Sequence, residues 1–245
     1  MTSLIHENTG NLTSLWQKVG EKAGGYTAGL AFDSCALYHT DWPNRLWFHQ
    51  DVTAEGLAAA KSDLTTLPTK LLIPCWDDDQ ERAGALFERA GFRKVSEQVG
   101  MSLRLTRTYV VAQTLSLVPV STTELAILWE AVFNQAFRYQ IGHELLTPTY
   151  PDIRFLLAFH QGKAVGTVLL HHAPKPIIGI HSMGVIPEMR GKGFAEQMMI
   201  LLLNQALEQE IDYAVLQASA MGKGLYLKLG FDQQFVMSNY SLPQT

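Results

Sequence analysis

Arg190, Gly191, Lys192 and Gly193 stand between two apolar stretches. The first ends at Pro187 and the second runs over residues 194–203. A strand, a basic glycine loop and then a helix would place these four residues at a helix N-terminus. Free N–H groups and a partial positive charge collect there. Glycines let an anion approach the backbone, so the stretch reads either as a phosphate-binding loop or as a plain strand–turn–helix junction. Spacing excludes two nucleotide motifs. A P-loop closes on Lys-Ser/Thr, whereas Gly193 follows Lys192, and a dinucleotide fingerprint wants a small residue where Glu196 stands. Asp77-Asp78-Asp79 is the other conspicuous cluster. Adjacent carboxylates at a helix start diverge and suit the helix dipole, so no metal site is assigned to them.

The surrounding chain has to position that loop. Its 245 residues, 47% hydrophobic and 17% charged, are enough for a substantial globular core. A net charge of −4 with no long basic run argues against a nucleic-acid partner. The longest apolar run, 198–203, is far too short to span a bilayer, and residues 1–7 lack a basic or apolar leader. Cys35 and Cys75 lack metal-ligand spacing and read as reduced thiols, so a cytoplasmic protein with no membrane partner is expected.

In the first half the patterning predicts an amphipathic segment over 11–22 and strands near 28–32, 36–39 and 45–49. A helix over 53–67, a strand over 70–74, a helix over 78–89 opened by an Asp78/Glu81 capping box, and extended chain over 94–108 follow. The second half predicts a strand over 115–120 and a helix from a capping box at 121–124 to 137. A polar connection over 141–151 leads to a hairpin, 154–159 and 163–172, around Gln161-Gly162. A loop at 173–176 leads to the central strand, a helix to about 209, a strand over 213–217, a helix over 222–229 and a strand over 233–242. Hairpin and crossover helices together predict an α/β fold with a mixed central sheet flanked by helices.

Residues 190–195, Arg-Gly-Lys-Gly-Phe-Ala, resemble the Q/R-x-x-G-x-G/A signature of the GCN5-related N-acetyltransferases, the GNAT superfamily. Val185-Ile186-Pro187 fits the V-x-P that ends that family's fourth strand. Leu216-Gln217-Ala218-Ser219 and then residues 224–231, ending L-Y-x-K-L-G-F, resemble its fifth strand and following helix. The resemblance runs from about residue 115 to the end. It implies acetyl-CoA as cofactor and an N-acetyltransferase acting on a primary amine by direct attack in a ternary complex. The backbone of Arg190, Gly191, Lys192, Gly193, Phe194 and Ala195 would hold the pyrophosphate, with charge from Arg190 and Lys192. The cofactor arm would lie along Met183 to Val185, where the fourth and fifth strands part, and an N–H near Val185 would serve the oxyanion. Ser219 replaces an asparagine that often bonds the arm. Tyr226 stands at the general-acid position.

The family often supplies a base from a glutamate on the fourth strand, and this strand has none. His181 is the candidate there, placed by alternation on the face of Met183 and Val185; His143 and Glu144 are rivals. His160, His171 and His172 read as surface residues. The alternative from another class is a non-catalytic acyl-CoA-binding or sensing protein. The acceptor would be a small-molecule or peptide amine, and the chain's mild acidity would suit a cationic one.

Residues 85–92 align with 224–231, so that Gly91 and Gly230 stand 139 apart. At that offset Ser102-Leu103 falls on Ser241-Leu242, and the strand at 71–73 falls near 213–215. This predicts tandem GNAT-like domains: a degenerate one over 1–108 and an acetyl-CoA-binding one over 109–245. Phe87 stands for Tyr226 and Asp51 for Arg190, so the first copy lacks the chemistry. Packing, a homodimer interface or a wall of the acceptor pocket remain as its work. Trp16, Trp42, Trp47 and Trp76 in this half read as core or as a ligand surface.

Overall fold

The computed structural model describes residues 4–112, 114–172 and 176–243. The first half runs α1 (Leu4–Ala23), β1 (Tyr26–Thr27), β2 (Phe32–Cys35), β3 (Arg45–Phe48), α2 (Ala54–Thr66), β4 (Ile73–Cys75), α3 (Gln80–Arg89) and β5 (Arg93–Arg104). The second runs β6 (Ser116–Pro119), α4 (Thr123–Phe137), a 3-10 turn and α5 (Leu146–Thr149), then β7 (Ile153–His160), β8 (Lys163–His172), β9 (Ile177–Val185), α6 (Phe194–Glu208), β10 (Tyr213–Ala218), α7 (Lys223–Leu229) and β11 (Asp232–Ser241). The loop expected at 173–176 lies, but for Pro176, outside the described residues.

Eight strands form one sheet in the order β4-β11-β5-β10-β9-β8-β7-β6, and β1-β2-β3 form a second. The β9–β10 ladder is parallel and its neighbours antiparallel, so the sheet is mixed as expected. A parallel bridge from Arg45 to Leu72 links β3 to the start of β4. Outward from the β5–β11 boundary the two sides therefore repeat each other. One runs β11, β4, β3, β2, β1 and the other β5, β10, β9, β8, β7. Each half lends its last strand to the other, so strands of the two halves interleave within one sheet.

The registers carry the same relation. Cys75 faces Ser238 and Ile73 faces Tyr240, while Ala218 faces Val99 and Leu216 faces Met101. The β5 and β11 residues differ by the offset of 139 found in the sequence. The β4 and β10 residues do not: Ile73–Cys75 matches Leu216–Ala218, an offset of 143 rather than 139. The reason is an added turn, since α3 has 10 residues and α7 has 7.

Local chemistry sets the boundaries. Thr53 caps α2, accepting from Gly56 N at 3.0 Å. Asp79, one residue later than expected, caps α3 by accepting from Arg82 N at 2.9 Å. Asp77 instead accepts from Val52 N at 3.1 Å. Thr122 rather than Ser121 caps α4. The strands expected at 28–32 and 36–39 are displaced to β1 and β2. Asp33 bonds Gly29 N at 3.1 Å and Tyr26 Oη at 2.9 Å, which folds the intervening chain into a turn. Gln161 (φ 49°) and Gly162 (φ 77°) form the two-residue hairpin turn.

Alternation on β7 sends Leu156 and Ala158 to the core under α6 and α7, and Phe155 and Leu157 to the core under α1 and α4. A third core packs α2 and α3 on β4. The repeat is visible inside it. Gly91 (φ 88°) and Gly230 (φ 98°) end α3 and α7 in the left-handed region. Phe87 meets Phe92 at 5.7 Å as Tyr226 meets Phe231 at 5.7 Å, and Phe87 also stacks on Tyr240 at 3.8 Å. Phe87→Ala should cost about 3–5 kcal/mol by opening this enclosed stack. Urea denaturation checks it, and a loss below about 1 kcal/mol would mean the stack is not a structural centre.

Candidate functional site

The parallel ladder between β9 and β10 is short. It joins Ile177 to Tyr213, Ile178 to Ala214 and Gly179 to Val215, and then the strands part. β10 is held away by β5, which pairs with it as far as Ala218. β9 is held by β8 through Val185. Its edge toward β10 thus has no ladder partner beyond Gly179, and its N–H and C=O groups there face a cleft. A bulge at Ser182 (φ 49°) shifts the register between Thr167 and Leu169. It interrupts the alternation expected to place His181 on one face with Met183 and Val185.

The cleft, about 570 Å³, is walled by Met183, Gly184 and Val185 on one side and by Ser219 and Tyr226 on the other. The Arg190–Ala195 loop closes one end. Gly191 (φ 74°) and Gly193 (φ 78°) hold conformations that side chains resist, and a Cβ at either would meet nothing within 4 Å. Gly193 is the α6 N-cap and offers no side-chain bond. The first intrahelical bond is Gln197 N to Gly193 O, 3.0 Å. The N–H groups of Phe194, Ala195 and Glu196 are left without intrahelical acceptors. An open cradle of N–H groups at a helix start fits a phosphate.

Arg190 does something other than expected. Its Nε donates to Val185 O at 3.0 Å and its Nη2 to Ala136 O at 2.7 Å, tying the loop to β9 and to the end of α4. Lys192 is exposed, with its Nζ 3.3 Å from Met189 Sδ.

A smaller pocket of about 160 Å³ shares Phe137, Met183, Ser219 and Tyr226 with the cleft. Its other walls come from Leu12, Leu15 and Trp16 of α1, from Trp42 and Arg45, and from His181 and Gln217. No aspartate or glutamate lines it. Phe137 reaches this junction because Gly184 has no side chain; a Cβ there would meet the Phe137 ring at 2.5 Å. Tyr226 is buried, and no described residue hydrogen-bonds its hydroxyl. Burial pushes its pKa up to about 12. Ser219 Oγ accepts from Gly222 N at 3.3 Å.

His181 is buried against α1, with Nε2 2.9 Å from Asn11 Oδ1. Asn11 Nδ2 donates to His171 O, so Oδ1 is the acceptor and Nε2 carries the proton. Burial, with His171 nearby, pushes the His181 pKa down to about 3. His171 was expected at the surface; it is 1% exposed, bonded to Ser14 Oγ at 2.9 Å, and burial lowers its pKa to about 4. His143 lies apart from both compartments, 2.6 Å from Glu130 and 3.6 Å from Glu144. Arg45 and Phe137 belong to the junction and carry no motif in the sequence, and Gln217, inside the fifth-strand stretch, was given no role there. Only the clustering of tryptophans in the first half pointed toward that wall.

The acetyltransferase (GNAT) family model matches residues 124–231. That region, which contains β9, the glycine loop and Tyr226, is a GNAT-family domain. The sequence matches none of the curated proteins. Among solved structures, a GCN5-related N-acetyltransferase from Kribbella flavida is similar over 96% of both chains, with TM-score 0.71 and 13% identity. One from Sphaerobacter thermophilus covers 88% of this chain and 78% of its own, with TM-score 0.62 and 17% identity. A tandem GNAT protein from the clavulanic acid biosynthesis pathway covers 98% of this chain and 96% of its own, with TM-score 0.58 and 12% identity. At these identities the likeness is one of fold, and it extends through the first half, which is GNAT-like as the repeat predicted. Among the described residues no helix is long and apolar enough to cross a membrane.

The two buried histidines make stability depend on pH. Each has a folded pKa below the ordinary 6.5, so the unfolded chain binds protons first. Their contribution is complete above pH 6.5 and shrinks as pH falls toward 4 and 3, by roughly 2 kcal/mol each between pH 6.5 and 5. Urea titrations at pH 7 and pH 5 should show this loss in the wild type. A His171→Gln/His181→Gln variant should lose correspondingly less over that interval, and equal losses would refute the assignment.

Proposed function

We propose that the protein transfers an acetyl group from acetyl-CoA to a primary amine by direct attack in a ternary complex. The observation that carries this reading is the meeting of the cleft and the smaller pocket at Tyr226. Acetyl-CoA supplies an activated acyl thioester. The backbone of Gly191, Lys192, Gly193, Phe194 and Ala195 holds the pyrophosphate, with Lys192 adding charge and Arg190 holding the loop in place. The edge of β9 at Met183 and Val185 gives the cofactor arm amide partners, Val185 through its N–H since Arg190 holds its carbonyl, and Ser219 faces it. A backbone N–H near Val185 donates to the acyl oxygen as charge develops there. Tyr226 Oη gives its proton to the departing thiolate; a pKa of about 12 keeps that proton in place at neutral pH.

His181 lines the pocket, but a neutral imidazole with a pKa of about 3 accepts protons weakly. We assign it to positioning α1 and β9, and the amine enters in its unprotonated form. Residues 109–245 then carry the cofactor site, and residues 1–108 wall the acceptor pocket. That pocket is complete within one chain, and an acyl-CoA-dependent reaction suits a cytoplasmic protein. The absence of a carboxylate from the pocket lining favours one second reading, an acyl-CoA sensor without turnover.

Calorimetry separates the two. The wild type should bind acetyl-CoA, and Gly193→Glu, which fills the cradle, should stay folded and bind none. Tyr226→Phe should bind normally while kcat falls roughly 100-fold or more. Binding with no turnover across an amine panel would select the sensor instead.

The pH dependence is a separate check. The rate constant kcat/KM should rise with pH up to the acceptor amine's own pKa. It should show no inflection near 6.5 and no fall from Tyr226 below about pH 11. An inflection near 6.5 that disappears in His181→Gln would return the base to His181.

A further inference from the structure

Arg45 lies half-buried in the wall of the smaller pocket, its guanidinium 5.7 Å from the Trp16 ring centre. Its Nη1 donates to Pro43 O at 2.6 Å and to Asn44 O at 3.0 Å. Those bonds fix one nitrogen. No described residue bonds Nε or Nη2, which leaves donors available on the planar fork. No carboxylate of the described residues pairs with it. Asp33, on the adjacent strand, is taken by His49 at 3.0 Å and Tyr26 at 2.9 Å. Among the described residues, Arg45 is also the one charged side chain in the pocket lining.

A guanidinium set among Trp16, Trp42 and Tyr139 without a counter-ion is unfavourable. Burial lowers its pKa to about 10, which leaves it charged at neutral pH. The ionisable groups acting on that charge are Tyr139 and Cys35, and the Cys35 thiol is itself pushed up to about 12 by burial. The pocket therefore holds a fixed cation and no anion. A polycationic amine is disfavoured there, whatever the chain's net charge of −4 suggests at long range. The volume limits the occupant too. About 160 Å³ is close to the ~150 Å³ of an engineered cavity that holds benzene, so the part of the acceptor seated there has only a handful of heavy atoms.

We infer that the acceptor is a small amino acid or a similarly compact amine bearing a carboxylate, that Arg45 binds the carboxylate, and that the amine is thereby turned toward Tyr226. The inference rests on the acetyltransferase reading for its amine end only; the carboxylate site stands on the pocket itself. Arg45 would act as a specificity residue. A forked pair with a carboxylate adds direction as well as attraction, because two parallel N–H···O bonds fix the plane of the bound group.

Matched acceptors test this without altering the protein. Per unprotonated amine, glycine and L-alanine should exceed glycinamide, methylamine and ethylamine in kcat/KM by on the order of 100-fold. In Arg45→Gln that ratio should collapse, with acetyl-CoA affinity unchanged; Arg45→Lys should retain part of it. Equal use of acids and amides by the wild type, or a preference that survives in Arg45→Gln, would overturn the proposal. Should Arg45→Gln fail to fold, since the residue also ties Pro43 and Asn44, the glycine–glycinamide comparison in the wild type still decides.

A binding readout keeps the two readings apart. N-acetylglycine should quench tryptophan fluorescence through Trp16 and Trp42, and N-acetylglycinamide should not. If that difference is seen but no amine is acetylated, the acetyltransferase reading falls and the carboxylate site stands. If acetylation is seen with no such difference, the reverse holds.

Discussion

The antiparallel ladder between β5 and β11 is the contact on which the rest of the architecture depends. It runs from Asp232 opposite Ser102 to Ser241 opposite Arg93 and sits between the two halves of the chain. Each of these strands has its other edge on the opposite half: β5 on β10, and β11 on β4. Neither half can close its own sheet without the other. The cleft follows from this exchange. β10 leaves β9 after three pairs while β5 continues to hold its other edge as far as Ala218. An edge strand with no such partner would tend to zip against β9 and close the cleft.

The same fold stands on both sides of that ladder, yet one side alone has a cradle for an anion. The difference is local. In the first half the chain passes from β3 to α2 through His49, Gln50, Asp51, Val52 and Thr53, and the Thr53 hydroxyl occupies a free N–H of the helix. In the second, Gly193 takes the N-cap with no side-chain bond, and Gly191 adds a second left-handed residue. A capped helix end has fewer N–H groups for a ligand than an uncapped one, so the two copies can differ at this point with no change of fold. Phe87 for Tyr226 completes the change: the first copy has a ring stacked on Tyr240 where the second has a hydroxyl at the cleft.

Much of the second half was legible because its signals are local. Glycine spacing, the hairpin turn at Gln161-Gly162 and the apolar run of α6 each act within a few residues. The repeat was legible where identity persists, from the α3 and α7 C-termini into the following strands. It slipped by four residues at β4 because an added helical turn leaves no mark in composition. The small strands β1 and β2 were misplaced because a side-chain carboxylate, Asp33, decides their turn. Arg45 was not legible at all. Its role depends on β3 lying under α1 at a site assembled from both halves, and sequence separation hides such a contact. Arg190 was legible in place and not in direction, since nothing local tells whether its guanidinium meets a ligand or a carbonyl.

The polar face of α1 explains why the first half is retained beside a complete glycine loop. Asn8 and Asn11 are almost wholly buried on the sheet, where an apolar side chain would be ordinary. Asn8 donates to Met101 O and Gln234 Oε1 and accepts from Gln217 Nε2; Asn11 bonds His171 O and His181. Gly179 leaves the room, because a Cβ there would collide with both Asn11 and His181. Apolar packing alone tolerates small rotations of a helix. A hydrogen-bonded network does not, because each rotation would strand the buried amide groups of Asn8 and Asn11. The network fixes α1 at the point where β9 and β10 part, and so fixes Leu12, Leu15 and Trp16 as a wall of the pocket. Its neutral histidines are a consequence of the same depth, since burial is the main cause that lowers the pKa of both His171 and His181.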